Sequence, residues 1–131
     1  MKDIGKKKVP VMLIGAGEAG SIILNEIKKS TYVTKTIRCI IDDDPAKKGT
    51  YLSGIPVVGN RNTIMRNAVK FNVEEIILAI PTIEPKDRKD ILEICKQTGC
   101  RLSILPGLYQ LINSEVTVSA LREVEIEDLL G

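Results

Sequence analysis

Apolar positions along this chain follow two alternating rhythms: short unbroken runs, and longer stretches with a period near 3.6. The first run, residues 9–14, is apolar throughout and reads as a strand. Residues 19–29 then place Ile22, Ile23, Leu24 and Ile27 on one broad helical face, with Lys28 and Lys29 near the C-terminal end, where they suit the helix dipole. Residues 30–34 connect to a second strand, 36–41, rich in β-branched residues and stopped by Asp42, Asp43, Asp44 and Pro45. A polar loop over 46–54 carries Gly49 and Gly54 as turn residues. Residues 55–58 form a short third strand, and Gly59 and Asn60 lead into a helix over 62–71. The nearly continuous apolar run 75–80 has the pattern of a strand covered on both faces, ended by Pro81. Pro85 and Gly99 bracket a helix over 85–98, and a fifth strand, 100–105, ends at Pro106 and Gly107. The remaining pattern is weaker and suggests a strand over 115–119 and a helical turn over 126–130. Strands alternating with helices predict an α/β domain of three layers, with a mainly parallel sheet of about five strands. The first two strands should be neighbours joined by a right-handed crossover.

Composition narrows the function classes. The 131 residues suit one domain spanning 1–131, and 44% hydrophobic with 27% charged residues is ordinary for a globular core. Net charge is +2 and the basic residues are scattered, so no nucleic-acid footprint is expected. Lys6, Lys7 and Lys8 read as a solvated lead-in. The absence of histidine removes the usual general base and every His-dependent nucleophile pair or metal site. Cys39, Cys95 and Cys100 form no Cys-x-x-Cys pair, which fits a reduced, cytoplasmic protein. Cys39 reads as a small core residue. No apolar run reaches the roughly 18 residues of a membrane span, and no signal-peptide pattern opens the chain.

The chemistry lies where the first strand meets the first helix. Gly15, Ala16, Gly17, Glu18, Ala19 and Gly20 spell Gly-x-Gly-x-x-Gly between strand and helix, the context a dinucleotide-binding turn requires. The first glycine permits the tight turn, the second lets a pyrophosphate approach the backbone, and the third lets helix and strand pack closely. The helix N-terminus offers free N–H groups to an anion. Asp42 follows Gly20 by 22 residues, at the end of the second strand, where a carboxylate can hold a ribose diol and disfavour a 2′-phosphate. Asp42, Asp43 and Asp44 also suit a second role, capping the turn before Pro45. Glu18 places a carboxylate inside a loop meant for phosphate. Ile80 and Pro81, with Ala79 and Thr82, end the fourth strand and should border the same crevice, with Leu105, Pro106 and Gly107 as a wall. Lys47 and Lys48 either reach a phosphate or stand in solvent. These residues point to NAD or NADP, with coenzyme A or a UDP-sugar as alternatives. No catalytic pair accompanies them: Tyr32, Tyr51 and Tyr109 are followed four residues later by Thr36, Ile55 and Asn113, and no Gly-x-Ser-x-Gly occurs.

Taken together, residues 11–20, 40–49, 54–59, 76–81, 104–109 and 121–131 resemble, in order, the N-terminal Rossmann-like, CoA-binding-like domain of the CapD-like polysaccharide biosynthesis proteins. The resemblance implies a non-catalytic nucleotide-binding domain within membrane-anchored nucleotide-sugar 4,6-dehydratases and epimerases acting on UDP-N-acetyl-hexosamines. It further implies that membrane helices precede such a domain on the cytoplasmic side and that a catalytic domain follows, so the chain is expected to be a piece of a longer protein and to pair with that domain, or with itself as a homodimer. A degenerate fold kept for interaction is the alternative. The Rex repressors' nucleotide-binding half is also similar, but no helix-turn-helix or basic surface accompanies it here.

Overall fold

The computed structural model describes residues 8–30, 33–105 and 116–124. Strand β1 (Val9–Ile14) is followed by helix α1 (Glu18–Lys29), β2 (Lys35–Ile41), β3 (Tyr51–Leu52), β4 (Ile55–Gly59), α2 (Ile64–Lys70), β5 (Glu75–Leu78), α3 (Pro85–Thr98), β6 (Arg101–Ile104) and β7 (Arg122–Val124). They form a Rossmann-like α/β fold. The sheet order is β3-β4-β2-β1-β5-β6-β7. Five strands, β4 to β6 in that order, run parallel, and β3 and β7 add antiparallel edges. The expected five strands are therefore joined by two more, of only two and three residues.

Each face of the sheet carries its own core. Met12, Ile14, Cys39, Ile41, Ile76 and Leu78 meet α2 and α3 through Ile64, Ala68, Ile91, Leu92 and Cys95. Val11, Leu13, Ile37, Ile40, Ile77 and Ala79 meet α1 through Ile23, Leu24 and Ile27. The alternation of strand side chains explains β1 and β5 directly. In β2 it needs a bulge: Val11 pairs with Ile37 and Met12 with Cys39, so Arg38 is extruded and the later residues keep their faces. At the N-terminal edge of the sheet, buried Glu75 accepts hydrogen bonds from Lys35 (2.6 Å) and Ser103 (2.7 Å).

The strand expected over 115–119 is not found among the described residues 116–119. Residues Val118–Ala120 form a 3-10 turn, and the strand comes later, at Arg122–Val124. The apolar alternation of Val116 and Val118 is real, but these side chains turn onto the core beside α1, and Glu26 on α1 takes the Val118 N–H at 2.7 Å. The helix expected over 62–71 opens as a 3-10 turn, Arg61–Thr63. The turn expected over 126–130 lies outside the described residues, as do Pro106 and Gly107.

Candidate functional site

The chain leaves β1 toward β2 on one side of the sheet and returns to add β5 on the other. Ligands of open α/β sheets sit at this switch, beyond the C-terminal strand ends. Gly15 follows β1 with φ +116°, and a Cβ there would stand 2.8 Å from the Ala79 carbonyl oxygen after β5. The two strand-end loops are thus in contact. A Cβ on Gly20 would lie 1.9 Å from the Gly15 carbonyl oxygen, so α1 presses directly on the turn. Gly17 is different: a Cβ there meets nothing within 4 Å. Gly17 also caps α1, and among the described residues no side chain bonds the helix N-terminus. The N–H groups of that first turn have no intrahelical partner. They are available to water or to an anion.

Asp42, at the end of β2, reaches this loop. Its Oδ2 accepts the Ala16 N–H at 2.8 Å and its Oδ1 accepts the Asp44 N–H at 2.9 Å. Lys47 closes the group, donating to the Ala16 carbonyl at 3.3 Å with its Nζ 3.9 Å from Asp42. Asp43 turns the other way. Its two oxygens accept the Arg61 backbone N–H and Nε, both at 2.8 Å. Arg61 continues to Asp90 at 2.8 Å and Asp87 at 3.2 Å on α3. The hydrogen bond to Asp43, then that to Asp90, raises the Arg61 pKa above its ordinary value despite partial desolvation. One cation thereby ties the loop after β2 and the turn before α2 to the start of α3.

These groups surround a cleft of about 630 Å³. Gly15, Gly17, Glu18, Ala19, Asp42, Asp43, Ile80 and Pro81 all line it. Of the other residues singled out in the sequence, Ala16 acts through its bond to Asp42 and Gly20 through its packing beneath the turn. Leu105 is buried in the core beside α1 and does not line the cleft. Ile14, Ile22, Ile41 and Ile91 supply apolar lining, so the cleft is a mostly apolar hollow with polar groups at one rim, the usual character of a small-molecule site. Arg61, Val116 and these four isoleucines are the lining residues that sequence reasoning did not assign to the site. Arg61 has no local signal, because the carboxylates that define it are 18 to 29 residues away. The charged lining is three carboxylates, Glu18, Asp42 and Asp43, against two cations, Lys47 and Arg61, both already partnered within the chain. The geometry fits a nucleotide: the hollow is the right size, Gly17 leaves room for close approach, and the α1 N-terminus faces no side-chain cap.

Buried Cys39 and Cys95 are pushed up to about 12 by desolvation, with a smaller contribution from Cys100 at Cys95. They are core residues, as expected for Cys39. Among the described residues no helix is long and apolar enough to cross a membrane.

Residues 4–106 match the model of a family of CoA-binding domains. The chain is 33% identical over 130 residues to the capsular polysaccharide biosynthesis protein CapD of Staphylococcus aureus, a match covering 98% of this chain and 22% of that protein. It is 29% identical over 120 residues to the probable polysaccharide biosynthesis protein EpsC of Bacillus subtilis, covering 92% and 20%. The chain thus spans about a fifth of the length of these curated relatives. The crystal structure of UDP-D-quinovosamine 4-dehydrogenase from Vibrio fischeri superposes with a TM-score of 0.81 at 28% identity, covering 95% of this chain and 99% of that one.

Proposed function

The chain belongs to this family of CoA-binding domains, and from that premise we propose that its cleft binds an adenine dinucleotide of the NAD type without itself carrying out catalysis. The observation that carries the reading is the contrast within one turn: Gly15 and Gly20 are required by packing, whereas the Gly17 Cβ position opens into free space at an uncapped helix N-terminus. Nothing in the fold needs a glycine at 17, but a pyrophosphate approaching the backbone does. The carboxylates of Asp42 and Asp43 support NAD over NADP, since a 2′-phosphate would meet negative charge there. The same balance disfavours coenzyme A. Its additional phosphate would find Lys47 and Arg61 already held by Asp42 and Asp43.

The relatives' names support a setting in capsule or other polysaccharide synthesis. On the family resemblance of the sequence, we further propose that the domain serves a longer, membrane-anchored protein that modifies a nucleotide sugar, with this part on the cytoplasmic side beside a catalytic domain. A UDP-sugar, the ligand class in the name of the Vibrio fischeri structure, is the second ligand to try.

The test is a thermal-shift and calorimetric screen of the chain against NAD⁺, NADH, NADP⁺, coenzyme A and UDP-N-acetylglucosamine. A ligand that binds only the folded state raises the melting temperature; at 100 times Kd the gain is about 2.7 kcal/mol. The expected result is a shift with NAD(H) that Gly17→Val abolishes. Silence from every ligand at millimolar concentration overturns the reading in favour of a fold kept for interaction or dimerisation. A response to coenzyme A alone, or one that survives Gly17→Val, overturns the choice of ligand or of site.

A further inference from the structure

A second groove lies at the β4 side of the sheet, between the β3–β4 hairpin and α2, with a volume of about 370 Å³. Its charged lining is Lys48, Arg66 and Lys70, with no carboxylate among the described residues. Lys48 and Arg66 make no ion pair among the described residues, and Lys70 rests 5.6 Å above the Phe71 ring. Arg66 and Lys70 stand four apart on α2, a spacing that sets like charges side by side. An anion relieves that repulsion. The contrast with the main cleft is chemical: there each lining cation is already bound to a carboxylate, here none is.

The groove also holds a ring. Tyr51 is 70% exposed, in a chain with only three tyrosines, one phenylalanine and no tryptophan. Its exposure does not come from a loose loop. Gly49 N–H bonds Val57 at 2.9 Å, Val57 N–H returns to Thr50 at 2.9 Å, Ser53 bonds Asn25 on α1 at 2.9 Å, and Lys28 reaches the Ser53 carbonyl at 2.6 Å. A firmly held hairpin presents an aromatic face to solvent beside three cations, above an apolar floor that includes Pro56 and Val57. Aromatic faces take bases by stacking, and clustered Lys and Arg take phosphates.

We propose that this groove is a second ligand site, which takes a nucleoside diphosphate with its base against Tyr51 and its diphosphate among Lys48, Arg66 and Lys70. The site is separate from the dinucleotide cleft, shares no lining residue with it, and does not rest on the reading of that cleft.

The experiment titrates UDP, ADP and inorganic pyrophosphate into the 15N-labelled chain and, in parallel, into its Gly17→Val variant, and follows amide shifts at both sites. The expected result is saturable binding of UDP or ADP with shifts confined to residues 48–58 and 66–70. Lys48→Glu and Arg66→Glu should each weaken it at least tenfold, and Tyr51→Ala should weaken the nucleotides at least fivefold while leaving pyrophosphate unchanged. All three positions are exposed, and an unaltered melting temperature confirms that each variant folds. No saturable shift up to 5 mM (about 3 kcal/mol), or shifts centred on residues 15–20, overturns the proposal. Pyrophosphate binding as tightly as the nucleotides overturns the role of Tyr51 and reduces the groove to a solvated basic face.

Discussion

A Cβ built on Gly20 would lie 1.9 Å from the Gly15 carbonyl oxygen and 2.9 Å from its carbon, both backbone atoms that no rotamer change can move. Gly20→Ala must therefore shift α1 or the turn, and overpacking of that kind costs about 1–3 kcal/mol. Gly17→Val places its Cβ in open space and alters the helix cap, at roughly 1 kcal/mol or less. Urea melts should rank the two in that order, and ligand binding should rank them in reverse; equal destabilisation would show that Gly17 too is fixed by packing. Asp42 sits between these roles. Its side chain is 17% exposed and accepts two backbone N–H groups, one from the turn itself. Asp42→Ala leaves both donors without their partner, and about 1–3 kcal/mol of stability should go with them. Asp42→Asn retains one acceptor oxygen and replaces the other with a donor. It should lose about half as much, measured by the same melts, and an Asn variant as weak as Ala would mean the charge, not the acceptor, holds the turn.

Between elements, the contact that most shapes the described C-terminal part is the bond from the Val118 N–H to Glu26 on α1. It converts an apolar alternation that suits a strand into a turn laid over the core. Glu26→Ala removes the acceptor and should cost about 1 kcal/mol; hydrogen exchange over 116–121 should then quicken while β1 and β5 keep their protection. Unchanged exchange there would assign the segment's hold to Val116, Val118 and Leu121 packing alone. The same bond shows what the sequence reveals and what it hides. β1 and α3 have the predicted bounds residue for residue, because an unbroken apolar run ended by Gly and a helical period closed by Pro and Gly are both local signals. The bulge at Arg38, the two-residue β3 and the three-residue β7 are set by pairing across the sheet, and a run that short has no period to read. The glycine turn was legible for the first reason. Arg61 and the use of Asp42 as a brace for the Ala16 N–H were not, since their partners are 18 to 29 and 26 residues away.

At the scale of the whole molecule, both faces of the sheet carry a packed core, and the one beneath α2 and α3 buries two thiols whose ionisation the fold opposes. Cys39 is fully buried beneath α2 and α3, and Cys95 lies in the same core on α3 itself. Desolvation lifts each thiol from 9.0 to about 12. The sign follows from proton counts. Above pH 9 the unfolded chain releases these protons, while the folded chain keeps them until about pH 12. The folded state therefore binds more protons, and stability falls as pH rises through that window. Three pH units at about 1.4 kcal/mol each set an upper bound of roughly 4 kcal/mol per thiol. Urea melts between pH 8 and pH 11 should show this decline, and Cys39→Ala with Cys95→Ala should flatten it. The alanine cavities lower stability at every pH and leave the slope to report on the thiols alone. Below pH 9 both thiols stay neutral and shielded, so a thiol reagent should modify them only as fast as the chain opens globally, whereas half-buried Cys100 should react sooner. An alkaline slope that survives undiminished in the double variant would assign the decline to other titrating groups, whereas a flat profile in the unsubstituted chain, or rapid native-state labelling of all three thiols, would show that the core around α3 opens locally.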